Sequence, residues 1–112
     1  MKQITAIVRP EKLEAVRQAL DTAGAPGIMI TEIEGHGKQK GIEQQWRGEK
    51  FRMELLPKMK IEVVVEDSSV NKIIQTIMKE AKTGEIGDGK IFVSTVENVI
   101  RIRSGEEGSK AI

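Results

Sequence analysis

Residues 58–93 read KMKIEVVVEDSSVNKIIQTIMKEAKTGEIGDGKIFV, and their reading decides the fold. Met59, Ile61, Val63 and Val65 alternate with Lys58, Lys60, Glu62 and Val64, which is the period of a half-buried strand. A helical stripe follows at Val70, Ile73, Ile74, Ile77, Met78 and Ala81, with residues 67–69 offering caps and Gly84 closing the helix. After a glycine-rich turn, KIFVSTV is dense in β-branched residues and reads as another strand. Strand, helix, turn and strand together make one half of an α+β domain.

The turn has two readings. Gly84, Gly87 and Gly89 bracket Asp88, so a second molecule can approach the main chain closely, and the amides with the Lys90 ammonium describe an anion cradle. A phosphate loop of the GxxxxGK[ST] kind leads into a helix, however, whereas a strand follows here. The other reading is a tight turn in which Asp88 is simply the turn residue.

Working outward, KQITAIV places Ile4, Ala6 and Val8 on one side of a strand and Gln3, Thr5 and Ile7 on the other. Pro10 opens a helix whose apolar positions are Leu13, Val16, Leu20 and Ala23, and Gly24 stops it. GIMITEIEG is a further strand. The order βαββαβ predicts a ferredoxin-like antiparallel sheet with both helices on one face. The opposite face mixes charged and apolar side chains, and subunit contact is expected there because Ile7 and Val64 are otherwise left exposed. Between the second and third strands runs GHGKQKGIEQQWRGEKFRMELLP, where an ordinary hairpin needs about two to five residues. This connection holds the only tryptophan and the only histidine.

Composition narrows the functions. A chain of 112 residues makes one domain, and a domain of this size buries roughly two-thirds of its unfolded surface. Charged residues are 31% of the chain yet nearly balance at net +1, so no bulk field favours nucleic acid or anionic lipid. Any anion site must be local. The absence of cysteine excludes disulfides and thiolate chemistry and fits a reducing compartment. MKQITAIVRP is too short and too charged for a signal peptide or a span, so a cytoplasmic protein is expected.

Four separated segments, TGEIGDGKIFV, VIRIRSGE, GHGKQKG and LLPKMKIEVVV, resemble in register the PII signal-transduction proteins. The resemblance covers essentially the whole chain. It implies a single domain over 1–112, with a T-loop at about 36–57 and a C-terminal segment at about 98–112. It also implies a homotrimer that binds ATP or ADP between subunits, takes 2-oxoglutarate with Mg-ATP, and regulates partners rather than catalysing. By this resemblance Gly87, Asp88, Gly89 and Lys90 line the phosphates and ribose. Ile7, Met29, Gly35, Glu62 and Val64 border the adenine, and Gly37 and Lys38 sit at the phosphate end. Gln39 ligates Mg²⁺, the loop base at Gln39, Lys40 and Gly41 holds the dicarboxylate with Gly87, and Lys58 pairs with its distal carboxylate. Arg101 and Arg103 stand two apart, so on an extended segment both guanidiniums point to one side and grip one polyphosphate.

Departures from the family pattern are informative. The positions of the modifiable tyrosine and serine are Phe51 and Glu49, which cannot accept a phosphoryl group. Trp46 stands where tyrosine is common, Met29 where threonine is, Lys38 where arginine is, and His36 where an apolar aromatic residue is. Arg47 matches the arginine that enters the channel in transporter-binding members. The partner expected is therefore an ammonium transporter, which recruits the protein to the membrane without insertion, or else a nitrogen-metabolism enzyme. Two other readings of the βαββαβ order compete. An RNA-recognition module needs sheet aromatics, yet aromatics are 3% of the chain and the first and third strands have none. A nucleotide phosphotransferase using His36 needs a partner to orient the imidazole, and the sequence supplies no candidate.

Overall fold

The computed structural model describes residues 1–35, 42–46, 49–53 and 56–112, those between 42 and 53 as backbone only. Its elements are β1 (Lys2–Val8), α1 (Leu13–Thr22), β2 (Met29–Gly35), β3 (Ile42–Trp46), β4 (Glu49–Met53), β5 (Leu56–Val65), α2 (Val70–Ala81) and β6 (Lys90–Thr95). Short 3-10 turns at Pro10–Lys12 and Asp67–Ser69 lead into the two helices. The main sheet has the order β2-β5-β1-β6 with every pairing antiparallel, which is the ferredoxin-like arrangement expected from the sequence.

Register follows from burial. Ile4 lies opposite Val63 and Val93, and Ala6 opposite Ile61 and Ile91. Ile4, Ala6, Ile61 and Val63 are buried against Val16 and Leu20 of α1 and Ile73, Ile77 and Ala81 of α2. A slip of one residue would turn this apolar set to the other face. That other face carries Thr5, Ile7, Lys60, Glu62, Val64 and Phe92. Met29, opposite Glu62, is 53% exposed and Phe92 is 54% exposed, whereas Ile7 and Val64 are half-buried, so the exposed apolar surface lies at the two edge strands.

Five details depart from the sequence reading. β5 begins at Leu56, inside the stretch assigned to the connection, and β3 and β4 form a separate two-stranded ladder from Ile42↔Met53 to Trp46↔Glu49. Pairing of this kind satisfies backbone groups across the ladder and requires no apolar period to announce it. None of residues 67–69 caps α2 through its side chain; Asp67 instead accepts the N-terminal ammonium at 3.0 Å. α2 ends at Ala81 because Lys82 is already extended, two residues before Gly84. The segment carrying Arg101 and Arg103 is folded rather than extended. Ile100 bridges Glu107, and the Gly105 amide donates to the Arg101 carbonyl at 2.8 Å.

Among the glycines whose surroundings are described, Gly89 has the tightest constraint. Its φ is +103°, and a Cβ built there would sit 1.7 Å from the Ile7 carbonyl oxygen. Gly84 has φ +90° but nothing within 4 Å of such a Cβ. We expect Gly84→Ala to cost about 1–2 kcal/mol, the strain of a positive φ, and Gly89→Ala about 3 kcal/mol or more because a backbone clash is added. Urea unfolding followed by circular dichroism reads both, and equal losses would contradict this account.

Candidate functional site

The turn at residues 83–89 is organised around one carboxylate. Asp88 Oδ2 accepts the amides of Thr83 and Gly84, both at 2.9 Å, while Oδ1 accepts the Thr83 hydroxyl and the Arg9 Nε, the latter at 3.1 Å. Arg9 reaches further and donates from Nη2 to the Ile86 carbonyl at 3.0 Å. The Glu85 amide donates back to the Thr83 hydroxyl at 3.1 Å. The chain leaving α2 therefore folds around the side chain of the residue that precedes Gly89. The Thr83 hydroxyl above all, then the two amides and Arg9, hold the Asp88 carboxyl well below the usual carboxylate range, against the opposing effect of burial.

A second cation braces the same turn from β5. Lys58 is only 7% exposed, and its ammonium donates to the Gly87 carbonyl at 2.6 Å. Burial, and then the neighbouring Arg9 charge, push the Lys58 pKa below its ordinary value. Pro10 biases Arg9 toward extended backbone, where it is found at φ −64° and ψ 143°, at the exit of β1. Gly87 has φ +103°, a conformation that a side chain would resist. Its amide donates to no acceptor among the described residues, and Lys90 opens β6 with its side chain exposed. A braced carbonyl on a half-buried glycine beside the exposed Lys90 leaves room and positive charge for an oxyanion. Of the two sequence readings, the turn organised by Asp88 is what the structure shows.

The residues singled out from the sequence fall into two groups at opposite ends of the sheet. Gly35, Ile7, Lys58 and residues 87–90 lie at one end; Ile7 pairs with Lys90 and Lys60, and Gly35 pairs with Leu56. Glu62 and Met29 lie nearer the other end, and Val64 pairs with Gln3, four residues from Ile7 or about 13 Å along the strand. Glu62 accepts the Gln3 amide nitrogen at 2.5 Å and stands 3.5 Å from the Lys60 ammonium.

Arg101 belongs with the second group. Its Nη1 donates to Glu106 at 2.9 Å and its Nη2 to the Lys110 carbonyl at 3.0 Å. Ile112 borders a hollow of about 240 Å³ with Val65 and Glu66, where β5 ends. Lys90 lies at the start of β6, and β6 ends beside the N-terminus, where the Val96 amide donates to the Met1 carbonyl at 3.1 Å. Within one chain, Arg101 therefore stands away from Lys90. The expectation that Arg101 and Arg103 extend side by side does not hold, because Ser104 and Gly105 close a turn after Arg103 that commits Arg101 to Glu106.

His36, Gly37, Lys38, Gln39, Lys40, Gly41 and Arg47 lie outside the described residues, as do the side chains of Trp46, Glu49 and Phe51. Among the described residues no group of three or more His, Asp or Glu side chains is placed to hold a metal ion. Two residues that organise the turn, Arg9 and Thr83, were not read as functional from the sequence. The available signals were Pro10 fixing Arg9 beyond a buried strand end, and the spacing of Thr83 to Asp88.

Asp88 gives the site a pH signature. Its pKa is depressed in the folded chain, so its contribution to stability is complete above the unfolded carboxyl value of about 4 and is lost as pH falls below that toward the folded value. Asp88→Asn is expected to flatten the acid limb of the stability profile between about pH 4 and pH 2. Thermal midpoints across that range provide the check, and an unchanged slope would remove Asp88 from this role.

The sequence profile of the family described as "Nitrogen regulatory protein P-II" matches residues 1–106. The chain is 55% identical over 112 residues to "Nitrogen regulatory protein P-II 2" of Methanothermobacter thermautotrophicus, covering all of this chain and 97% of that one. It is 53% identical to "Nitrogen regulatory protein P-II" of Azospirillum brasilense and 48% identical to the protein of that name from Microchaete diplosiphon, each over the full length of both chains.

Proposed function

Because the chain belongs to the nitrogen regulatory protein P-II family, we propose that it is a homotrimeric signal transducer that binds ATP or ADP between neighbouring subunits. The observation that carries this reading is the division of the site. Gly87, Gly89, Lys58 and Lys90 occupy one end of the sheet, while Glu62, Val64, Met29 and Arg101 lie toward the other. A second copy that presents its far end to this turn completes the set. Exposed apolar surface supports association: Phe92, Ile100 and Ile102 are uncovered, and an apolar groove of about 430 Å³ lies between α2 and β6.

In this reading 2-oxoglutarate binds with Mg-ATP beside Lys58, whose buried ammonium keeps spare donors, with Gln39 as the metal ligand and the loop base at Lys40 and Gly41 around the dicarboxylate. The partner is an ammonium transporter met through Arg47 in the 36–57 connection, or a soluble nitrogen-metabolism enzyme. Among the described residues no helix is long and apolar enough to cross a membrane, so membrane recruitment would run through such a partner.

Light scattering at micromolar concentration is expected to give a trimer mass; a monomer that still binds ATP would overturn the divided site. Arg103→Ala should weaken ATP and ADP alike by about 1.5–3 kcal/mol in calorimetry, the value of one charged hydrogen-bonded contact. Arg47→Glu should abolish pull-down by transporter-containing membranes while sparing ATP affinity and trimer mass. Retained pull-down would assign the loop to a soluble enzyme.

A further inference from the structure

An anion cradle built around a carboxylate contains a contradiction. Asp88 carries the charge that a polyphosphate would meet as repulsion, and it lies within the turn whose glycines make room for the ligand. Arg9 answers that charge. Its side chain is 15% exposed, so the pairing is only partly screened by water, and its guanidinium bonds Asp88 Oδ1 and the Ile86 carbonyl together. These two acceptors flank Gly87, the residue held at φ +103° whose carbonyl receives Lys58. A planar fork spanning both acceptors therefore fixes the direction in which the Gly87 amide and carbonyl point. Lysine carries the same charge but has no planar fork with which to hold both acceptors at once.

We infer that Arg9 is a positioning residue for polyphosphate binding: it cancels the Asp88 charge and clamps Gly87 between two fixed acceptors, without itself contacting the ligand. The inference rests on the reading that the turn receives nucleotide phosphates, and it adds a graded consequence. Removal of the Arg9 charge penalises a ligand according to the number of its phosphates. Removal of the fork alone penalises all nucleotides equally.

The test uses the full chain, titrated calorimetrically with ATP, ADP and AMP as wild type, Arg9→Gln, Arg9→Lys and Arg9→Gln with Asp88→Asn. Amide hydrogen exchange at Thr83 and Gly84 is followed without nucleotide. Arg9→Gln is expected to weaken ATP roughly tenfold or more, the loss of one charged contact, with a smaller loss for ADP and least for AMP. Arg9→Lys should recover the ATP-to-AMP ratio but not the full affinity, and its Thr83 and Gly84 amides should exchange faster than in wild type. The double variant should regain part of the ATP loss, because both charges are then gone. ATP affinity unchanged in Arg9→Gln, or a loss equal across the three nucleotides, overturns the inference. Where Arg9→Gln does not fold, Arg9→Lys decides alone: wild-type affinity with wild-type exchange overturns the clamp. Wild-type protein that binds none of the three nucleotides overturns the nucleotide reading instead, and the exchange measurement still reports whether Arg9 holds the turn.

Discussion

The carboxylate of Asp88 is the fixed point of the candidate site. It gathers the end of α2 through Thr83 and Gly84, and the exit of β1 through Arg9, and it lies one residue before the glycine that passes against the Ile7 carbonyl. Without it, the backbone donors after α2 would need other acceptors, and the approach of residues 87–90 to β1 would lose its anchor. Most of its partners are backbone amides or a hydroxyl from its own turn, so the local chain defines the conformation. Two long-range cations, Arg9 on Asp88 and Lys58 on the Gly87 carbonyl, then tie that conformation to the sheet.

β5 has the widest reach in the domain. It pairs with both β1 and β2, and its buried residues Ile61, Val63 and Val65 form the middle of the core. Its first turn-facing side chain, Lys58, holds the Gly87 carbonyl, and Leu56, two residues earlier, is where the strand takes over from the long connection. The Asp88 turn and the root of the connection are thus joined by a strand that cannot slide without reversing the faces of its buried residues. A ligand that altered the Lys58 contact would act on that root through two residues of paired backbone.

Much of this was legible in the sequence, and the reasons for success and failure are physical. Alternation in β1 and β5 and the apolar stripes of α1 and α2 declared themselves because burial imposes a period on side chains. The β3–β4 ladder did not, since its backbone pairing can form without any apolar period in the sequence to mark it. Arg101 and Arg103 were read as extended because their alternation with Ile100 and Ile102 imitates a strand. The Ser104–Gly105 turn that folds them, with the Gly105 amide returning to the Arg101 carbonyl, was overlooked. Asp88 was visible as a turn residue, but Arg9, 79 positions away, could become its partner only once β1 and β6 were laid side by side.

Two residue groups at opposite ends of the sheet give the chain a direction. A surface patch that meets its own copy across a two-fold axis brings like against like, which would set turn against turn and leave Arg101 and Arg103 unmatched. Unlike ends joined head to tail make a heterologous contact, and such contacts either close into a ring or propagate without limit. Closure fixes the size of the assembly by the angle between successive copies rather than by how strongly they adhere. In a closed ring every completed site would be shared by two chains and every chain would serve two sites. Occupancy at one position would then be felt, through the body of one sheet, at the mouth of the next.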